Sequence, residues 1–293
     1  MLCTVVLSNS YFYLIPMIPS RRSFLRKGIY TSVAIFVGGQ LLSQQNCMDS
    51  GDGIISKPSL LRFLVASDGH YGQTGTNYQQ NLDELVAHIK REHALEPLDC
   101  CIINGDLVHD EKKYLPIVKQ HLDQLPVPYY VTQGNHDQVS PAEWKSIWGM
   151  PVNHTAVIRD QVLLMATTSN EKGEYICADL DWLKAELDKY KNHSAIYIFI
   201  HITPEKWTSY GIQCDQFLQL LTEYKNIVAV FNGHDHDQDH FKIKNNIPFL
   251  FDGHYGGNWG LDYRGYRIVA FKENRQLHTF MMNPHLKLNE AYF

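Results

Sequence analysis

Five short stretches of this 293-residue chain place aspartate, asparagine and histidine where an apolar run stops. They are Asp68-Gly69-His70, Gly105-Asp106, Gly134-Asn135-His136-Asp137, His201, and Gly233-His234-Asp235-His236. Carboxylate, imidazole and amide oxygen without thiolate form a donor set suited to zinc, manganese or iron. Taken singly, each stretch has an ordinary reading. Gly-Asp after a strand is often a turn, and a lone histidine such as His201 is more often structural than a ligand. The repetition of one arrangement at the ends of successive apolar runs is what points to a shared metal site.

The last stretch follows Ile227-Val228-Ala229-Val230-Phe231, which reads as a buried strand. Side chains two apart in an extended backbone point the same way, so His234 and His236 are expected to project together. The alternative is a polar surface loop with ordinary histidines.

The elements that must carry these residues can be read in order. Strands are expected over Leu60–Ala66, Leu98–Asn104, Pro128–Gln133, Val162–Ala166, Ala195–Ile200 and Ile227–Phe231, with late strands over Ile247–Phe251, Tyr266–Phe271 and Leu277–Met281. Between them, Leu82, Leu85, Val86 and Ile89 repeat at helical spacing, as do Leu115, Val118, Leu122 and Leu125. Leu180, Leu183, Leu187 and Tyr190 mark a further helix, and Cys214, Phe217, Leu218 and Leu221 another. Ser140-Pro141-Ala142-Glu143 has the form of a capping box with proline in the first turn, opening a short helix with Trp144, Ile147 and Trp148. Alternating strands and helices indicate an α/β layered domain with a partly mixed sheet, and ligands gather at the carboxyl ends of strands in such folds.

The ordered set of motifs resembles the signature of the calcineurin-like metallophosphoesterase superfamily, D-x-H, G-D, G-N-H-D/E, H and G-H-x-H, over Leu60 to about Phe271. The resemblance implies a two-sheet β-sandwich flanked by helices, four layers in the order α/β/β/α, with two metal ions at the sheet edge. It implies one metal held by Asp68, His70 and His236 and a second by Asn135, His201 and His234, with Asp106 bridging. The ions would be manganese, iron or zinc. Two cations about 3.5–4 Å apart supply hydroxide at neutral pH and neutralise phosphoryl oxygens. His136 would then face the substrate and assist the leaving oxygen. Asp137 is expected to orient its neighbours. Purple acid phosphatases of this superfamily carry a tyrosine three residues after the bridging aspartate and lack the first histidine. Here His109 and His70 stand at those positions, unlike that branch. His109 is expected behind the ligands or facing substrate. His254, in the Gly- and aromatic-rich Phe251–Trp259 stretch, is expected to line the substrate pocket or to sit in a simple turn.

Ser20-Arg21-Arg22-Ser23-Phe24-Leu25-Arg26-Lys27 precedes a mildly apolar run from Gly28 to Leu42. This resembles a twin-arginine signal, which implies export of a folded protein by the twin-arginine (Tat) translocase to a bacterial periplasm or cell envelope. Residues 1–46 are thus read as a leader, 47–58 as a linker and 59–293 as the metallophosphoesterase domain, with Met17 a more conventional start than Met1. Cys47 is a candidate lipid anchor. No C-x-x-C spacing links Cys100, Cys101, Cys177 and Cys214, so no zinc knuckle or redox motif is indicated. Cys100 and Cys101 lie in an apolar run and read as core. The net charge of −5, with the basic residues of the leader set aside, argues against nucleic acid as the main partner. Three functions are carried forward. The first is a dinuclear phosphohydrolase of small phosphoesters, the second a phosphodiesterase or nuclease, the third a non-catalytic metal-binding surface protein.

Overall fold

Strand geometry builds the layers. In β3 (Leu61–Ala66), Leu61, Phe63 and Val65 belong to one apolar core while Leu64 and Ala66 belong to another. Alternate side chains face opposite ways, and both faces are covered, so the strand reads as a continuous apolar run.

A computed structural model describes residues 34–37, 40–43, 60–283 and 285–293. The chain divides into two units, Met1–Ser56 and Lys57–Phe293. In the first, β1 (Ala34–Val37) pairs antiparallel with β2 (Gln40–Ser43). The Ser20–Lys27 motif, Cys47 and the whole 47–58 linker lie outside the described residues.

The second unit contains two six-stranded mixed sheets. One is built on β3, β4 (Cys100–Asn104) and β5 (Tyr129–Thr132), which run parallel. Its other half is β12 (Tyr266–Phe271), β13 (Leu277–Asn283) and β14 (Leu286–Tyr292), added antiparallel. In the other sheet, β7 (Gln161–Met165), β8 (Ala195–Ile200), β9 (Ile227–Asn232) and β11 (Ile247–Phe251) run parallel. Antiparallel β6 (His154–Ile158) and β10 (Phe241–Lys244) form its edges.

Between the sheets lies a core of Phe63, Val65, Ile102, Leu163, Tyr197, Phe199, Phe231 and Val269. Phe63 meets the rings of Tyr197, Phe199 and Phe231 edge to face at 5.4–5.8 Å, the geometry aromatic quadrupoles favour. The first sheet's outer face is covered by α1 (Tyr78–Leu95), α2 (Leu115–Leu122) and α3 (Pro141–Trp148). The second sheet is covered by α4 (Leu180–Tyr190) and α5 (Asp215–Leu221). The four-layer α/β/β/α arrangement is therefore present. The capping box of α3 is complete, with Ser140 and Glu143 each serving the other's backbone N–H.

Strands β6, β10 and β14 were not expected from sequence. All three are outer strands, and β10 (Phe-Lys-Ile-Lys) and β14 are largely exposed. An edge strand needs no continuous apolar run and is protected by charge, which removes the signal that marks a buried strand.

The sheets are tied by an ion pair. Arg267 of β12 donates Nε–H to Asp252 Oδ1 at 3.0 Å, just past β11, with both side chains buried. The same guanidinium donates to the Asp239 and Phe251 carbonyls and to Thr279 Oγ1. Burial pushes the Asp252 carboxyl up to about 7, against the pull of Arg267 and Asn104. Removing one partner leaves the other charge buried alone. Replacement Arg267→Leu is expected to lower unfolding stability by about 3–5 kcal/mol, read by denaturant titration; a loss under about 1 kcal/mol would show that the pair does not hold the sheets.

Candidate metal centre

Parallel strands bring their carboxyl ends to one edge. Asp68 and His70 follow β3, Asp106 follows β4, Asn135 follows β5, His201 follows β8, and His234 and His236 follow β9. At these ends the backbone turns sharply. Asp68, His70, Asp106 and His234 all have positive φ, between 43° and 69°. A residue with a Cβ pays roughly 1–3 kcal/mol for such a conformation, which persists where its surroundings over-determine it. Gly134 is required by crowding, because a Cβ there would strike the backbone nitrogen and carboxylate of Asp106.

Three groups of donor atoms result among the described residues, each with all its ligand atoms within 4.8 Å: Asp68, His70 and His236; Asp106, His201 and His234; and His70, His109 and His136, of which only the first two include a carboxylate. In the first, His236 Nε2 lies 3.1 Å from Asp68 Oδ1 and 3.0 Å from His70 Nε2. In the second, His201 Nε2 lies 3.1 Å from Asp106 Oδ2. That same Oδ2 lies 3.6 Å from His70 Nε2 in the first group, so Asp106 stands between the two.

The tautomers suit cation binding. His201 Nδ1 donates to the Asn104 carbonyl at 2.7 Å, and His236 Nδ1 donates to the Trp259 carbonyl at 3.2 Å. Each bond leaves the Nε2 lone pair aimed into the site. Asn135 Oδ1 and His234 Nε2 are buried with no hydrogen-bond partner. A buried acceptor without a donor is costly, and a cation is a partner that satisfies it. The residues present therefore fit a two-metal centre.

Charge points the same way. Burial opposes ionisation of Asp68, but His201 and His236 hold its carboxyl well below the usual range. Burial also opposes Asp106, and His201 again outweighs it and lowers the pKa. Burial likewise disfavours charge on His201, yet Asp106 and Asp68 push that imidazole up to about 10. At His234 burial and the His201 charge outweigh the pull of Asp106 and Asp68 and take it down to about 4. Without cations, a protonated His201 between the two carboxylates supplies the positive charge that the pocket requires.

His234 and His236 do not project together. The segment after Asn232 leaves the sheet, and His234 takes φ of 69°. The turn sends one ring to each group, so the alternation argument fails while both residues reach the site.

Around the ligands, His136 is half-buried, its backbone N–H donating to Asp106 Oδ1 at 2.8 Å. Its Nδ1 lies 2.8 Å from Asp110 Oδ1, which leaves Nε2 facing the mouth. His109 stacks on His136 with centroids 4.9 Å apart, and its Nδ1 is 3.0 Å from His70 Nδ1. Asp137 accepts from the N–H groups of Val108 and Gly134, fixing the two turns that carry Asp106 and Asn135. His254 is buried, its ring nitrogens within reach of the Gly256 and Leu261 carbonyls, one of which a neutral imidazole donates to, and it stacks 4.8 Å from His236. It orders its loop and supports His236, and it also lines a small cavity with Asn258 and Trp259.

Sequence reasoning missed several residues here. Asn104 joins both sheets: its carbonyl accepts from Ser67 and His201, while its side chain meets Ile200, Asp252 and Thr132. The run of apolar residues before it was the only signal, and it marked Asn104 merely as a strand end. Asp110 could have been noticed as an acid close behind Gly105-Asp106. Cys177 and Cys214, 37 residues apart, form a disulfide that no local spacing announces, whereas Cys100 and Cys101 are buried and free.

The calcineurin-like phosphoesterase family model matches residues 61–238. A probable cyclic nucleotide phosphodiesterase of Psychrobacter arcticus is 23% identical over 163 residues, 48% of this chain and 57% of that protein. A probable glycerophosphodiester phosphodiesterase of Arcobacter nitrofigilis is 24% identical over 190 residues, 59% of this chain and 68% of that one. The match thus spans little more than half of the first relative's length. Among solved structures, a dimetal phosphatase from Danio rerio superposes with a TM-score of 0.65 at 13% identity, covering 80% of this chain and 98% of that one. Purple acid phosphatase PPD1 of yellow lupin gives 0.58 at 12% identity, covering 81% and 54%. These structures share the fold, and the family model, which spans well over half of the sequence, places the chain in the calcineurin-like phosphoesterase family.

Proposed function

We propose that this protein is an exported, dinuclear metal-dependent hydrolase of small phosphodiesters. The observation that carries the reading is the pair of donor groups with Asp106 between them, His234 Nε2 of the second being a buried acceptor without a partner. Asp68, His70 and His236 would hold one cation, Asn135, His201 and His234 the other, and Asp106 both. Bound there, two cations would activate water at neutral pH and neutralise the phosphoryl oxygens.

The chain's own residues do the rest. Asp110 accepts from His136 Nδ1–H and orients the ring, which leaves Nε2 placed to pass a proton at the mouth. A water oxygen adds to phosphorus, the ester P–O bond breaks, and the leaving oxygen takes the His136 proton; the proton lost by water passes to solvent. A diester is favoured because Asp110 places a carboxylate at the mouth, which opposes the second negative charge of a monoester. Both curated relatives carry phosphodiesterase names, in line with that choice. The Cys177–Cys214 disulfide supports export, since such bonds persist in oxidising compartments. The twin-arginine motif supports the same route, through the Tat translocase.

Manganese titration followed by calorimetry is expected to give two ions per chain and a release of protons that falls on His201. Replacement of His236 or of His234 by alanine should each remove one ion and leave one; a stoichiometry unchanged in both variants would contradict the assignment.

On an activated diester such as bis(4-nitrophenyl) phosphate, Asp106→Asn and His136→Ala should each lower kcat by about a hundredfold or more, the scale of losing electrostatic stabilisation or a proton donor. Asp110→Asn should cost about tenfold, the scale of an outer partner. Near-normal turnover in His136→Ala would remove that residue from the mechanism.

A further inference from the structure

The mouth of the metal centre is lined by three exposed aromatic rings. Trp259 is 43% exposed and lies flat on His236, with centroids 4.1 Å apart and planes 10° from parallel. Its ring also contacts His70 at 4.7 Å and His109 at 6.2 Å. On the other group, Tyr175 meets His234 edge to face at 4.9 Å and Tyr210 does so at 5.9 Å, with exposures of 40% and 61%. Scattered exposed aromatics need no explanation. These three come from three separate loops and each touches rings of a donor group, Trp259 those of the first and the tyrosines that of the second.

The two tyrosines are held by a covalent device. Tyr175 lies two residues before Cys177, in a loop pinned by a bridge between Ser169 and Tyr175. Tyr210 lies four residues before Cys214, in a turn closed by Gly211 N–H on Thr208 Oγ1. The Cys177–Cys214 disulfide joins the two loops. Tying two surface loops fixes rings that would otherwise lose more freedom on binding.

An aromatic platform beside a phosphate site is the chemistry that recognises a planar base, because every base offers a π-face. Resting on the reading of this mouth as a phosphoester site, we propose that Tyr175, Tyr210 and Trp259 select phosphoesters bearing a planar aromatic group, of which the nucleotide base is the biological form. Esters bearing only glycerol or another aliphatic alcohol leave the platform empty and bind less tightly. The proposal thereby favours nucleotide diesters over glycerophosphodiesters as substrates.

The test is calorimetric titration of the manganese-loaded full chain with AMP and with ribose 5-phosphate, which differ only in the base. The wild-type protein is expected to bind AMP about tenfold more tightly. Tyr175→Leu and Tyr210→Leu should each cut that preference severalfold, while Tyr175→Phe and Tyr210→Phe, which keep the ring, should retain it. Trp259 is left intact because its ring stacks on the metal-site residue His236, and metal content is measured in every variant. Equal wild-type affinity for the two ligands overturns the proposal, as does a preference that survives both leucine variants or is lost equally in the phenylalanine ones. Turnover of cyclic AMP and of glycerophosphocholine is assayed in parallel. A protein that prefers AMP yet hydrolyses neither diester sinks the phosphodiesterase reading and leaves the base platform standing.

Discussion

Asp68 and Asp106 are withdrawn from water almost completely, at 0% and 1% exposure, and lie 3.7 and 3.1 Å from the same His201 nitrogen. Two carboxylates sharing a dry pocket cannot both ionise unless positive charge or hydrogen-bond donors surround them. Much of the local architecture meets that demand. Ser67 Oγ and the His234 N–H bond to Asp68 Oδ2, and the His136 N–H bonds to Asp106 Oδ1. Each carboxylate keeps its other oxygen for the interior of the site. Such aim depends on the left-handed backbone at the strand ends. An extended continuation of β3 or β4 would carry the carboxylates past the pocket.

Strain of this kind must be held by something stiff, and Asn104 shows how. It ends β4 in the first sheet, but its side chain donates to the Ile200 carbonyl, the last residue of β8 in the second. Its carbonyl takes both Ser67 and His201, one neighbour from each side of the site. Asp252 extends the network to Arg267 and so to β12. The metal centre therefore lies on a polar seam running between two apolar sheets. Fully satisfied networks in low dielectric are rigid, and half-satisfied ones are costly.

How much of this could be read from the chain depends on what each feature asks of its residues. Buried parallel strands demand apolar runs, so β3, β4, β8 and β9 were legible to within a residue or two. Donor identity was legible because a metal needs particular atoms. Conformation at the strand ends was not. His234 and His236 looked like neighbours on one face, and a single positive φ sends them to different groups. Edge strands such as β10 hid because exposure relaxes composition. Contacts closed by the tertiary fold, such as Cys177 with Cys214 or Asp110 with His136, leave no periodic trace at all.

A division of labour follows from where the residues sit. The donors and Asp106 stand at strand ends, where two sheets fix them from below. The aromatic rings stand on loops around Tyr175, Tyr210 and Trp259, fixed only by a disulfide, a few turns and the stacking on His236. Loops accept substitution more readily than strands, because fewer buried contacts depend on them. Changes that retune the bound alcohol can therefore accumulate without disturbing the phosphoryl chemistry, whereas a change at Asn104 or Ser67 disturbs both carboxylates at once. The two relatives carry names for different alcohols, a cyclic nucleotide and a glycerophosphodiester, as a fold that hosts different functions through its loops allows.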